Sequence, residues 1–159
     1  MADWREQYDR MQRWSRRLWL SVEHLVGGSD QGLVDAFYAF AQTCYHLVDW
    51  LENDHSQHIR RARADEFVDS RLLLAYCRDI CNGSKHAQLQ AKRVEVTMRK
   101  TINSFSVEDE SGHSHEQVVE QPELFVPWGD QFIDAESFAK QCTEEWDRFL
   151  RVEGLLPPE

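Results

Sequence analysis

Nowhere does the chain hold an apolar run near the roughly 20 residues that a membrane-spanning helix needs, so no span is expected. The opening residues, Met1-Ala2-Asp3-Trp4-Arg5, are charged from the start and lack the apolar centre of a secretory leader. Net positive charge is also missing. The formal balance is −10, which excludes a broad, non-specific nucleic-acid surface because phosphate contacts need clustered Lys and Arg. A small basic site remains open. There is no phosphate-binding glycine loop, dinucleotide fingerprint, HExxH helix or serine elbow. Repeats, linkers and a second compositional block are absent too, so all 159 residues are read as one domain. Cysteine is sparse: Cys44, Cys77, Cys81 and Cys142. Cys77 and Cys81 lie four apart with no second pair nearby, which fits no common zinc spacing. They read as reduced core thiols and point to the cytoplasm, with no cofactor and no metal expected.

What is present is helical patterning. Trp4, Tyr8, Met11, Trp14 (or Ser15), Leu18, Val22 and Leu25 recur at steps of three and four and predict a helix over 4–26. Gly27-Gly28 would stop it. A second helix is expected over 31–53, apolar on nearly every face and therefore central to a bundle. The charged stretch 52–65, with His55, His58, Arg60, Arg61 and Arg63, reads as a short helix or a loop. A third helix follows over 69–82, with Leu72, Leu73, Ala75, Tyr76, Ile80 and Cys81 as its apolar set. The period then changes to two at Val94, Val96, Met98 and Ile102. Strands are predicted over 93–105 and 117–127, with a polar turn between them and a short Phe132-Ile133 segment after Gly129-Asp130. The last helix, 134–151, is capped by Asp134 and carries the stripe Phe138, Ala139, Cys142, Trp146, Phe149 and Leu150. The expected fold is a mainly α bundle with a small antiparallel sheet of two or three strands and a C-terminal helix.

Two polar groups interrupt this pattern. His46, Asp49 and Asn53 share one side of the second helix, and a histidine and an aspartate there are costly to bury unless bonded. They read as a structural polar network, His46 and Asp49 both largely buried. Near the end of the third helix, Arg78, Asn82, Lys85 and His86 face one way if helical geometry continues through Gly83. Arg and Lys supply fixed positive charge, Asn82 orients a group, and His86 moves a proton near neutral pH. Those are the parts needed to cleave RNA without a metal. The bland reading is that Lys85 and His86 complement a helix C-terminus. His113-Ser114-His115 with Glu116 has i, i+2 metal-ligand spacing but sits in an acidic turn and reads as solvated.

The stretch from Arg78 to His86, RDICNGSKH, resembles the motif helix of the HEPN superfamily, as does its place after a long helix carrying Cys44 to Trp50, CYHLVDW. The resemblance covers about residues 30–90 and extends weakly to the last helix. It implies a helical bundle that acts as a homodimer, in many members a metal-independent ribonuclease of toxin–antitoxin, CRISPR or phage-defence systems. Other members bind nucleotides or serve as scaffolds. Carried over, the catalytic residues would be Arg78, Asp79 and His86. Seven residues separate Arg78 from His86, a longer interval than the family's motif has. Asp79 stands where asparagine or histidine is more usual, with Asn82 as the residue to stand in for it. The expectation is a HEPN-like endoribonuclease with RNA as substrate and an antitoxin as a protein partner. The alternatives are a non-catalytic interaction or scaffold module, or nucleotide binding without turnover.

Overall fold

The computed structural model describes residues 3–24, 30–56, 59–85, 96–108 and 113–158. Within them the chain is a helical bundle with a three-stranded antiparallel sheet: α1 (Trp4–His24), α2 (Asp30–Asn53), α3 (Arg61–Asp69), α4 (Leu72–Lys85), β1 (Thr97–Glu108), β2 (Ser114–Trp128), β3 (Gln131–Asp134) and α5 (Ala135–Val152). The sheet order is β1-β2-β3. No described helix is long and apolar enough to cross a membrane.

The central helix is α2, as its apolar surface requires. Leu33, Phe37, Phe40, Ala41, Cys44, Leu47, Val48 and Leu51 are all buried, and α1, α3, α4 and α5 pack around it. The stripe of α1 is buried at Trp4, Met11 and Leu18 and partly buried at Tyr8 and Trp14. Gly27-Gly28 and the side chains of Val22 and Leu25 lie outside the described residues. One polar residue joins this stripe unannounced by its chemistry. Gln7 is buried, and both ends of its amide are used: Nε2 donates to the Thr43 carbonyl at 2.8 Å, and Oε1 accepts from Arg10 at 2.8 Å. The start of α1 is tied to the end of α2 by Asp54, whose buried carboxylate accepts from the Trp4 N–H at 3.2 Å and from Ser56 N and Oγ. The Ser56 bonds, then Trp4, hold the Asp54 carboxyl below its ordinary range.

The predicted third helix, 69–82, is α4, which starts at Leu72 and runs on to Lys85, and α3 begins in the charged stretch read as a short helix or a loop. Asp69 ends α3 instead of opening the next element, and Ser70-Arg71 separates α3 from α4. Ser70 closes α3 on itself: its N–H bonds to the Glu66 and Phe67 carbonyls, and its hydroxyl donates to Phe67 O at 2.7 Å. This local side-chain bond competes with helix continuation. The restart shifts the buried stripe of α4 to Leu73, Leu74, Cys77, Ile80 and Cys81, and Leu72, expected in the core, is 48% exposed.

The strands run further than their hydrophobic alternation. β1 and β2 pair from Thr97↔Phe125 to Glu108↔Ser114. At the base, Met98 packs against the core and Leu124 and Val126 are buried. Beyond it, every residue of 102–108 and 113–118 whose side chain is described is exposed, including Ile102 at 68% and Val118 at 60%. A two-stranded arm therefore stands clear of the helices. Backbone pairing extends the ladder where no core face is left to bury, which hydrophobic periodicity cannot register. The β2–β3 turn is Gly129-Asp130, with Gly129 at φ +60°. Glycine is the residue a two-residue hairpin favours at that first position.

α5 forms as its sequence predicts. Asp134 caps it by accepting from Ser137 N at 2.8 Å, and all six expected stripe residues are buried. It docks on α1 through Tyr8 Oη, which donates to Asp147 Oδ1 at 2.7 Å. Burial, then that bond, pushes the Tyr8 phenol up to about 12. Gly154, at φ +74°, ends the helix; Leu155 N–H reaches back to the Leu150 carbonyl at 2.8 Å.

Candidate functional site

The polar residues picked out in α2 and α4 come together on one flank of the bundle, with α3 beside them. His46 and Asp49, which their spacing leaves free to bond each other or a partner across the bundle, each bond across it to a different helix. His46 Nε2 lies 3.3 Å from Cys81 Sγ on α4. Asp49 Oδ1 accepts from Arg61 NH1 on α3 at 2.6 Å. Asn53 donates to the backbone carbonyl of Asp49 at 2.7 Å. Neither His46 nor Asp49 is largely buried as expected: both are half-exposed, the Asp49 side chain at 41%. α2 is apolar enough to be central, but the flank between α3 and α4 still admits water.

Arg61 is the hub that the sequence did not single out. Its guanidinium also reaches Glu52 at 3.1 Å and Asp65 at 3.2 Å. Hydrogen bonds to Asp49 and Glu52 keep it charged well beyond the ordinary range for arginine. Tyr45 lies against the same group. Burial and the nearby Asp65 carboxylate raise its phenol. Arg61 stood out in the sequence only as one member of a charged stretch, since a contact twelve residues from Asp49 leaves no periodic trace.

Arg78 is the second hub. Asp69, the last residue of α3, and the neighbouring Asp79 both hold it, the latter at 2.9–3.0 Å. Burial opposes its charge, but Asp79 and then Asp69 outweigh that and raise its pKa. The Arg78 side chain is 31% exposed. α4 continues unbroken through Gly83 to Lys85, so Arg78, Asn82 and Lys85 fall on one side at helical spacing. His86 and the Lys85 side chain lie outside the described residues, so no geometry joins Arg78 to His86.

The electrostatics of this flank follow from the counts. Among the described side chains two arginines, Arg61 and Arg78, are paired with five carboxylates, Asp49, Glu52, Asp65, Asp69 and Asp79. These are water-facing ion pairs, each worth at most about 1 kcal/mol. Asp49→Ala should therefore lower stability by no more than about 1 kcal/mol, measured by urea denaturation.

The remaining sequence candidates are separate from this flank. His113 and Glu116 are exposed on the arm, and the His115 side chain is outside the described residues. His55 is exposed and His58 is undescribed. The four cysteines are buried thiols outside any disulfide, as expected. No known family, characterised protein or solved structure matches the chain.

Proposed function

We propose that this chain is a HEPN-like helical domain that works by binding protein, in the first place a second copy of itself, and does not cut RNA. The observation that carries this reading is the state of Arg78. Its guanidinium is taken by Asp69 and Asp79, in a flank where, among the described residues, carboxylates outnumber arginines. A phosphodiester entering there would have to displace a carboxylate and then sit beside it, whereas a cleavage site needs fixed positive charge where the transition state becomes more negative.

The arm supports the binding half of the reading. Ile102 and Val118 lie on the same face of the β1–β2 ladder, beyond the helices and exposed to solvent. β1 is the outer strand, and an outer strand offers unpaired backbone groups to an added strand. The tryptophans of α1 contribute less than their number suggests. Trp4 is buried and Trp14 packs on the core, leaving Trp19 at 43% exposure.

Light scattering should give twice the 18.8 kDa chain mass. The double variant Ile102→Glu, Val118→Glu should shift that toward monomer while keeping the helical circular dichroism of the wild type, because both side chains are exposed in the isolated chain. A wild type that stays monomeric across a wide concentration range overturns the reading.

A second reading, a metal-independent ribonuclease of a toxin–antitoxin or phage-defence system, is favoured by one observation: α4 runs through Gly83 and carries Arg78, Asn82 and Lys85 along one side toward His86. Its test is direct. RNA incubated with the wild type in EDTA should stay intact on the binding reading. Cleavage that survives EDTA and falls by about 10²-fold in His86→Ala would replace the binding reading with this one.

A further inference from the structure

Three cysteines with no local spacing in the sequence meet at the centre of the bundle. Cys44 comes from α2, Cys77 from α4 and Cys142 from α5, and their sulfurs lie within 4.8 Å of one another. Cys77 Sγ and Cys142 Sγ are 3.8 Å apart. Three thiolates held about 2.3 Å from one zinc ion would themselves stand about 3.8 Å apart, so ligation needs little movement of the helices. All three residues are fully buried. Close-packed thiols alone would also satisfy these distances, but a second observation points to a charged sulfur. The indole N–H of Trp146, one turn after Cys142 on α5, is buried without a hydrogen-bond partner among the described residues, and Cys44 is the sulfur beside it. A neutral thiol is a poor acceptor and leaves that N–H nearly unsatisfied; a metal-bound thiolate is a strong one.

We propose that Cys44, Cys77 and Cys142 form a buried three-sulfur site for one thiophilic metal ion of the zinc(II) or copper(I) class, with the Trp146 N–H donating to the Cys44 sulfur. Soft thiolates select these ions over magnesium, calcium or manganese. Each cysteine that binds gives up its thiol proton to solvent. No fourth His, Cys, Asp or Glu ligand joins the trio among the described residues. Three-coordinate copper(I) would fill the site as it stands, and zinc would need a small ligand from outside the protein. The ion pins three helices at one point. Because the trio has no exposed surface, loading accompanies folding.

The test therefore refolds the full chain. It is unfolded in denaturant with a thiol-free reductant, refolded with one equivalent of Zn²⁺, or of Cu⁺ without air, and desalted. One ion should remain per chain with one of the two metals. The melting temperature should rise by about 5–10 °C with free metal at 100 times its Kd. X-ray absorption on the loaded wild type should show three sulfur neighbours. Retention of Cu⁺ identifies the three-coordinate site, and retention of Zn²⁺ with one added light-atom neighbour identifies the four-coordinate one. Cys77→Ser and Cys142→Ser should lose the ion, and Cys81→Ser should keep it. If either of the first two fails to fold, the wild-type spectrum decides alone. Failure of the wild type to retain either metal overturns the proposal. So does a spectrum dominated by nitrogen, which would move the ion to His46 and Cys81, or loss of the ion in Cys81→Ser.

Discussion

Trp146→Ala should lower the unfolding free energy of the metal-free protein by about 3–5 kcal/mol, the scale for removing a large aromatic from a packed core. Trp146 is fully buried. Its ring meets Phe67 of α3 at 5.7 Å and Phe149 at 5.6 Å, and Phe67 stacks on Phe149 at 4.6 Å. This three-ring cluster is where α5 holds α3, so its removal opens a cavity between two elements and not within one. Trp146→Phe isolates the packing part. It keeps a ring and deletes an N–H that has no partner in the metal-free protein, so the loss should fall to about 1.5 kcal/mol or less. Urea titrations of the three proteins at one pH give both numbers. An alanine variant within 1 kcal/mol of the wild type, on the order of a surface change, would show that α5 is not anchored here.

Phe138→Ala should cost a similar amount, about 3–5 kcal/mol, and should reach further along the chain. Phe138 is fully buried against Phe37 and Phe40 of α2, with ring centroids 5.5 and 6.5 Å away. It lies four residues after Asp134, which is both the last residue of β3 and the cap of α5. With no loop between strand and helix, a shift of the first turn of α5 moves β3 with it. Hydrogen exchange should therefore show faster exchange of the β3 amides as well as those of α5, while the α3–α4 end keeps its protection. Exchange accelerated only within α5 would mean that strand and helix are uncoupled. Phe138→Leu, which keeps most of the apolar volume, should recover most of the loss.

The three-sulfur centre and the arm were illegible in the sequence for different reasons. Cys44, Cys77 and Cys142 lie 33 and 65 residues apart, so no ligand spacing announces them; only the packing of α2, α4 and α5 puts their sulfurs together. The arm was seen as strands but cut short by three residues at each strand's tip. Beyond Ile102 the ladder is held by backbone pairing, and no buried face imposes alternation. The start of α4 was placed three residues early, because one serine hydroxyl turned to the Phe67 carbonyl ends α3 without disturbing the apolar count on either side.

By itself the sequence determined the bundle, the central place of α2, the cap and buried stripe of α5, and the presence of a small antiparallel sheet. These rest on local periodicity and capping, where each residue's role depends on neighbours within a turn or a strand pair. Only the tertiary structure decided the polar residues' partners. The spacing of His46 and Asp49 along α2 allowed them to pair, but His46 turns to Cys81 and Asp49 to Arg61. Arg78, whose charge suggested a phosphate, is held by Asp69 from the preceding helix and by Asp79. The physical reason is that a charge in a protein takes its character from the groups within a few ångströms of it, and here Cys81, Arg61 and Asp69 all reach their partners from a different helix.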